Sequence, residues 1–174
     1  MKLFKGFYKF FRGLKFKKKP KFLIIYGNYG GAGYSARSTF ISKENKIYQL
    51  DDNNQFVIEQ EMTIQDYYNY YLKLFQDVDV IDELDACFKL HDLDTNTTNL
   101  KNIIKASHAL PINMGKVDPI FYLAYPTIFL FGIFYFSIFK KVGNYLNEDE
   151  LLNINEYRLQ CRNEYTNKYG IKYI

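Results

Sequence analysis

The stretch Val78-Asp79-Val80-Ile81-Asp82-Glu83-Leu84-Asp85-Ala86-Cys87-Phe88-Lys89-Leu90-His91-Asp92 decides how the rest of the chain is read. Its acidic start suits a helix N-terminus, and Ile81, Leu84 and Phe88 recur at helical spacing. His91 falls on the same stripe, one heptad after Leu84, and Asp92 follows it directly. Asp85 and Asp92 are likewise one heptad apart, so their carboxylates lie on neighbouring parts of one helix face. A histidine on an apolar stripe is ordinarily a buried ring with a hydrogen-bond partner. A second stretch upstream raises the functional alternative.

That stretch is Tyr26-Gly27-Asn28-Tyr29-Gly30-Gly31-Ala32-Gly33-Tyr34-Ser35-Ala36. Gly27, Gly30, Gly31 and Gly33 let the backbone turn its carbonyls inward where a Cβ would obstruct. A ring of carbonyl oxygens completed by a carboxylate is how a protein holds calcium, a hard cation with oxygen ligands.

The two stretches together resemble the secreted phospholipase A2 superfamily and its shorter phospholipase A2-like domains. The family pattern is a Tyr-Gly-x-x-Cys-Gly-x-Gly calcium loop, then a helix carrying Asp-x-Cys-Cys-x-x-His-Asp. Here the loop reads Tyr26-Gly27-Asn28-Tyr29-Gly30-Gly31-Ala32-Gly33 and the helix Asp85-Ala86-Cys87-Phe88-Lys89-Leu90-His91-Asp92. In the family the loop cysteine and the second helix cysteine are bridged to each other. Gly30 and Phe88 stand at those positions, so both ends of one bridge are missing together. The resemblance implies a mainly α fold: an antiparallel helix pair carrying the His-Asp site, a calcium-binding loop and a small β insertion. It also implies a partner helix with an Asp that orients the catalytic histidine. Aligning Ala106-Ser107-His108-Ala109-Leu110 with that segment puts Ser107 at the position. A serine can accept the imidazole N–H but cannot stabilise an imidazolium as a carboxylate does. The family's Tyr four residues after the catalytic His is replaced by Thr95.

Composition narrows the setting. A chain of 174 residues is one domain by size. Cys87 and Cys161 are its only cysteines, so no disulfide framework supports it and the fold rests on an apolar core. Two buried free thiols are the favoured reading over one bridge, and a reducing compartment follows. Charge is uneven: residues 1–21 hold nine basic groups and no acid, leaving fourteen basic against nineteen acidic groups in the remainder. In this arm Leu3, Phe7, Phe10, Phe11 and Leu14 fall on one side of a helix, and Lys2, Lys5, Lys9 and Arg12 on the other. Such a helix suits an anionic lipid surface, and it equally suits a first core helix with solvated lysines. The regular Phe spacing fits a nucleic-acid tail poorly, and no nucleic acid is expected as a partner. Lysines recur too often for a signal-peptide core, which points to peripheral membrane association or a non-classical route of delivery.

Working along the chain, Phe22–Tyr26 reads as extended, followed by the glycine loop. Residues 37–77 read as an insertion near the site's mouth. Within it, 47–50 and 55–59 form a hairpin, and a Tyr-rich core helix is capped by Thr63 and Asp66. Leu100, Ile103, Ile104 and Ser107 define the next helix, which Pro111 is expected to end. From Pro119 to Phe139 there is no charge. Pro126, Gly132 and the abundance of Tyr and Phe favour a buried or interfacial helix over a membrane span. A polar helix from Glu148 to about Asn167 precedes an aromatic, strand-like end. The organisation expected is therefore an N-terminal basic helix at 1–21, a phospholipase A2-like domain at 22–141, and a helical extension at 142–174.

As the resemblance implies, the chain is a calcium-dependent phospholipase A2 hydrolysing the sn-2 ester of glycerophospholipids at a membrane surface. His91 is then the general base. The carbonyls of Tyr29, Gly31 and Gly33 and the carboxylate of Asp92 hold Ca2+, and the N–H of Gly31, or of Gly30, is an oxyanion donor. A membrane-damaging toxin or effector fits this activity. The alternative is a catalytically weak or inactive protein of the same fold acting by lipid binding, its histidine network weakened at Ser107. A third reading is an integral membrane protein in which the His-Asp match is accidental.

Overall fold

The computed structural model describes residues 15–17, 23–31, 34–41, 46–51, 55–95, 99–130 and 147–174. The chain is mainly helical, and among the described residues two small antiparallel sheets precede the helices. The first sheet has the order β1 (Lys15–Lys17), β2 (Leu23–Tyr26), β3 (Gly30–Gly31). The helix expected over 1–21 is thus corrected at its end. Lys15-Phe16-Lys17 alternates with period two and pairs with Ile25, Ile24 and Leu23, so the β2 ladder takes its backbone groups. Residues 1–14 and 18–21 of that expected helix lie outside the described residues.

The second sheet is a meander of β4 (Tyr34–Ser35), β5 (Ser38–Ile41), β6 (Lys46–Leu50) and β7 (Phe56–Glu61). Its last two strands are the expected hairpin, and β5 extends it. Ala36 and Arg37, joining β4 to β5, have φ of 49° and 58°. Two successive positive φ values in a two-residue connection give the twist that a tight hairpin needs.

Helix α1 (Ile64–Asp77) opens with the expected capping box, Thr63 accepting from the Asp66 amide and Asp66 from the Thr63 amide. Helix α2 (Glu83–Asp94) is capped by Asp82, whose carboxylate accepts from the amides of Leu84 and Asp85. Ile81 therefore precedes the helix and is exposed, not part of its apolar stripe. Helix α3 runs Leu100–Val117 with Pro111 inside it. The expectation that Pro111 ends the helix fails because Asn113, Met114 and Gly115 beyond it are all buried, and packing outweighs one lost backbone bond. Gly115 admits the Tyr122 ring, since a Cβ there would lie 2.5 Å from Tyr122 Cε1. That contact seats the 3₁₀ turn Pro119–Tyr122, and residues 125–130 are helical after it. Helix α4 (Glu148–Tyr169) has an Asn147–Glu150 capping box and ends on Gly170 in the left-handed conformation. The segment after Gly170 is not a strand, and Tyr173 within it is buried.

Helix α2 is central, packing on both α3 and α4. Leu84, Cys87, Leu90 and Leu93 join Met114, Ile154, Cys161 and Tyr165 in the core. Cys87 and Cys161 are both buried free thiols, as expected. Among the described residues no helix is long and apolar enough to cross a membrane, and the charge-free run beyond residue 130 lies outside them.

Candidate functional site

The glycine turn between β2 and β3 sits directly on the first turn of α2. Asp85 is fully buried there, and its carboxylate accepts from the amides of Asn28, Tyr29 and Ile81 at 2.9–3.1 Å. Gly27, at φ 56°, is what allows the approach. A Cβ on it would lie 2.4 Å from Asp85 Oδ1, inside contact distance. Burial pushes the Asp85 carboxyl up to about 6 against the opposing pull of the three amides. Further bonds fix the turn from its edges. The Tyr26 hydroxyl donates to Asp82 at 2.6 Å, and the Asn28 side-chain amide to the Asp79 carbonyl at 2.7 Å. The Tyr29 hydroxyl donates to the Val78 carbonyl.

Two turns further along α2 stand His91 and Asp92, and Asp92 reaches Ser35 of β4. His91 is buried, and its Nδ1 stands 3.7 Å from Asp92 Oδ1. Asp92 is partly exposed, and its Oδ2 accepts from the Ser35 hydroxyl at 2.5 Å. Ser35 is delivered by the strained hairpin turn at Ala36-Arg37, braced by the Arg37 guanidinium on the carbonyls of Leu50 and Asp51. Thr95, where the resemblance has Tyr, is buried, with its hydroxyl on the Asp92 carbonyl at 3.0 Å. Ser107 lies buried on α3, and its Oγ has no hydrogen-bond partner among the described residues.

Asp92 is a partly exposed carboxylate, and the resemblance expects it to join backbone carbonyls of the glycine loop around a hard cation. The Gly27 carbonyl accepts from the Tyr34 hydroxyl and the Asn28 carbonyl from the Arg37 amide. Neither is a carbonyl that the resemblance assigns to calcium. Of those, Tyr29 and Gly31 border the turn, and Gly33 lies outside the described residues. Among the described residues no three His, Cys, Asp or Glu side chains cluster to hold a metal, so a cation here would need backbone oxygens as ligands.

Three participants were not assigned a role from the sequence. Asp85 was visible as a motif position, and its heptad spacing to Asp92 was its signal. Ser35 carried none. Lys89, on the buried side of α2, donates to the Val78 carbonyl at 3.0 Å and lies over the rings of Tyr29 and Tyr157. Burial lowers its pKa. It pins the turn before α2 to both the glycine loop and α4.

These features define a mainly helical protein whose central helix clamps a glycine turn at one end and presents a His-Asp pair at the other. The chain is 47% identical over 144 residues to the uncharacterized protein R213 of Acanthamoeba polyphaga mimivirus, a match covering 81% of this chain and 99% of that protein. It belongs to that protein's family. No family model and no solved structure matches it.

Proposed function

We propose that the protein is a calcium-dependent phospholipase A2 acting at a membrane surface. One observation supports the reading: the glycine turn lies on α2, beside Asp85 and Phe88. Gly27 touches Asp85, and a Cβ on Gly30 would lie 2.9 Å from the Phe88 ring. Gly30 and Phe88 are the two positions that the family bridges by a disulfide, and here an aromatic ring against a glycine occupies that contact.

In this reading His91 takes a proton from a water molecule as the water oxygen bonds to the sn-2 ester carbonyl carbon. The bond to the glycerol oxygen then breaks, and the proton passes from His91 to that oxygen. Asp92 and the carbonyls of Tyr29, Gly31 and Gly33 would hold calcium, which would supply a fixed positive charge for the substrate phosphate and the ester carbonyl. The Gly31 or Gly30 N–H supports the oxyanion. Ser35 holds Asp92, and Asp85 holds the loop.

The test is release of fatty acid from mixed phosphatidylcholine–phosphatidylglycerol vesicles with calcium and with a chelator. Release that requires calcium and disappears in His91→Gln supports the proposal, and release equal in both proteins overturns it. Ser107 favours a second reading, lipid binding without turnover. Its hydroxyl stands where the resemblance has a carboxylate and makes no hydrogen bond among the described residues. Vesicle binding without any fatty acid release is its signature.

A further inference from the structure

A cavity of about 380 Å³ opens between the end of α2, α3 and α4, apart from the glycine turn. Its polar lining is Asp94, Asn102, Lys105, Asn155, Arg158 and Arg162. We propose that it binds a phosphate monoester with a small hydroxylated organic group.

Lys105, Arg158 and Arg162 outnumber Asp94, the carboxylate side chain in the lining, and a phosphate monoester carries more negative charge at neutral pH than a single carboxylate ligand does. Arg162 is fixed by donating Nε and one Nη to the Tyr173 carbonyl at 3.1 and 2.9 Å. Arg158 is fixed by its Nε on Asp94 Oδ1 at 3.1 Å. Each guanidinium has five N–H donors, so both keep donors beyond those bonds in forks already oriented. Lys105 is exposed and has no ion pair among the described residues. The volume exceeds what a bare phosphate fills and suits a group the size of a sugar, with the amides of Asn102 and Asn155 available to its hydroxyls.

Glucose 6-phosphate titrated into the full chain by calorimetry, with glucose and inorganic phosphate as controls, tests this. The expected result is saturable one-to-one binding of the ester and none of glucose. Weakening of roughly tenfold is expected in Lys105→Gln and in Arg158→Gln, the equivalent of one charge-assisted contact each. Should Arg158→Gln unsettle the fold by releasing Asp94, Lys105→Gln carries the test from its exposed position. His91→Gln leaves this binding unchanged, which separates it from the calcium site. Absence of saturable binding up to about 10 mM overturns the proposal. So does inorganic phosphate binding as tightly as the ester, or affinity unaltered in Lys105→Gln.

Discussion

Asp85 and Asp92 stand one heptad apart on the same helix, and their surroundings are opposite. Asp85 is sealed from solvent and spends its oxygens on the amides of Asn28, Tyr29 and Ile81. Asp92 keeps some exposure and is met by side chains, the Ser35 hydroxyl and the His91 ring, which rotate far more easily than a backbone. The same residue type thus serves as a clamp at one end of α2 and as an adjustable group at the other. A cation site needs both, since carbonyls aimed by a loose turn would lose in ordering entropy what they gained in coordination.

The comparison breaks most severely at Gly27. Gly27→Ala puts a Cβ into the Asp85 carboxylate at a backbone angle that L residues rarely adopt, and a loss of about 4 kcal/mol in urea unfolding is expected. The same substitution at exposed Gly170, also at positive φ but with open space around it, costs only about 1 kcal/mol. The next largest effect sharpens the comparison. Gly30→Cys combined with Phe88→Cys is expected to form a bridge in oxidising buffer and to raise stability by about 2–4 kcal/mol over its reduced form. Mass spectrometry and thermal melts with and without reductant read it, and a pair that stays reduced argues against the shared register.

Asp85 also predicts a pH dependence. Its folded-state pKa, pushed to about 6 by burial, lies above the ordinary carboxylate value. The folded state therefore holds the proton more tightly than the unfolded chain. The resulting stability, on the order of 2–3 kcal/mol, is fully present below about pH 4 and lost as pH rises through about 6. Denaturation of calcium-free protein across pH 3.5–7.5 should show this decline relative to Asp85→Asn, in which the slope from this group vanishes. The smallest effect concerns Lys89, whose folded-state pKa is lowered by burial. Its charged form is penalised at neutral pH, and that penalty is relieved as pH rises from the depressed pKa towards about 10.4. Lys89→Met should therefore gain stability at pH 7 in urea unfolding, with the gain shrinking at alkaline pH.

The helices were legible where local signals agreed. Thr63 with Asp66 marked the start of α1, and the run from Glu148 is the long C-terminal helix. The strand at Lys15–Lys17 was not legible from the arm's 3.6-residue pattern, because β2 supplies its pairing from outside the window. Pro111 misled for a related reason: the propensity cost is local, but the burial of Met114 and Gly115 that offsets it is tertiary. In the site, the glycines and the His-Asp pair were visible as motifs. The clamp by Asp85, the hydroxyl of Ser35 and the lysine buried among tyrosines were not, since each depends on which segment crosses α2 and not on spacing along it. The cationic cavity was equally hidden, being assembled from the end of α2 and the facing sides of α3 and α4.

The most direct test of the division of labour along α2 is calcium binding by calorimetry, comparing the wild type with Asp92→Asn at matched far-UV circular dichroism. One calcium per chain in the wild type, weakened at least about 50-fold in the variant, is the predicted result. A wild type that binds no calcium, or an Asp92→Asn variant that binds it equally well, would contradict the account.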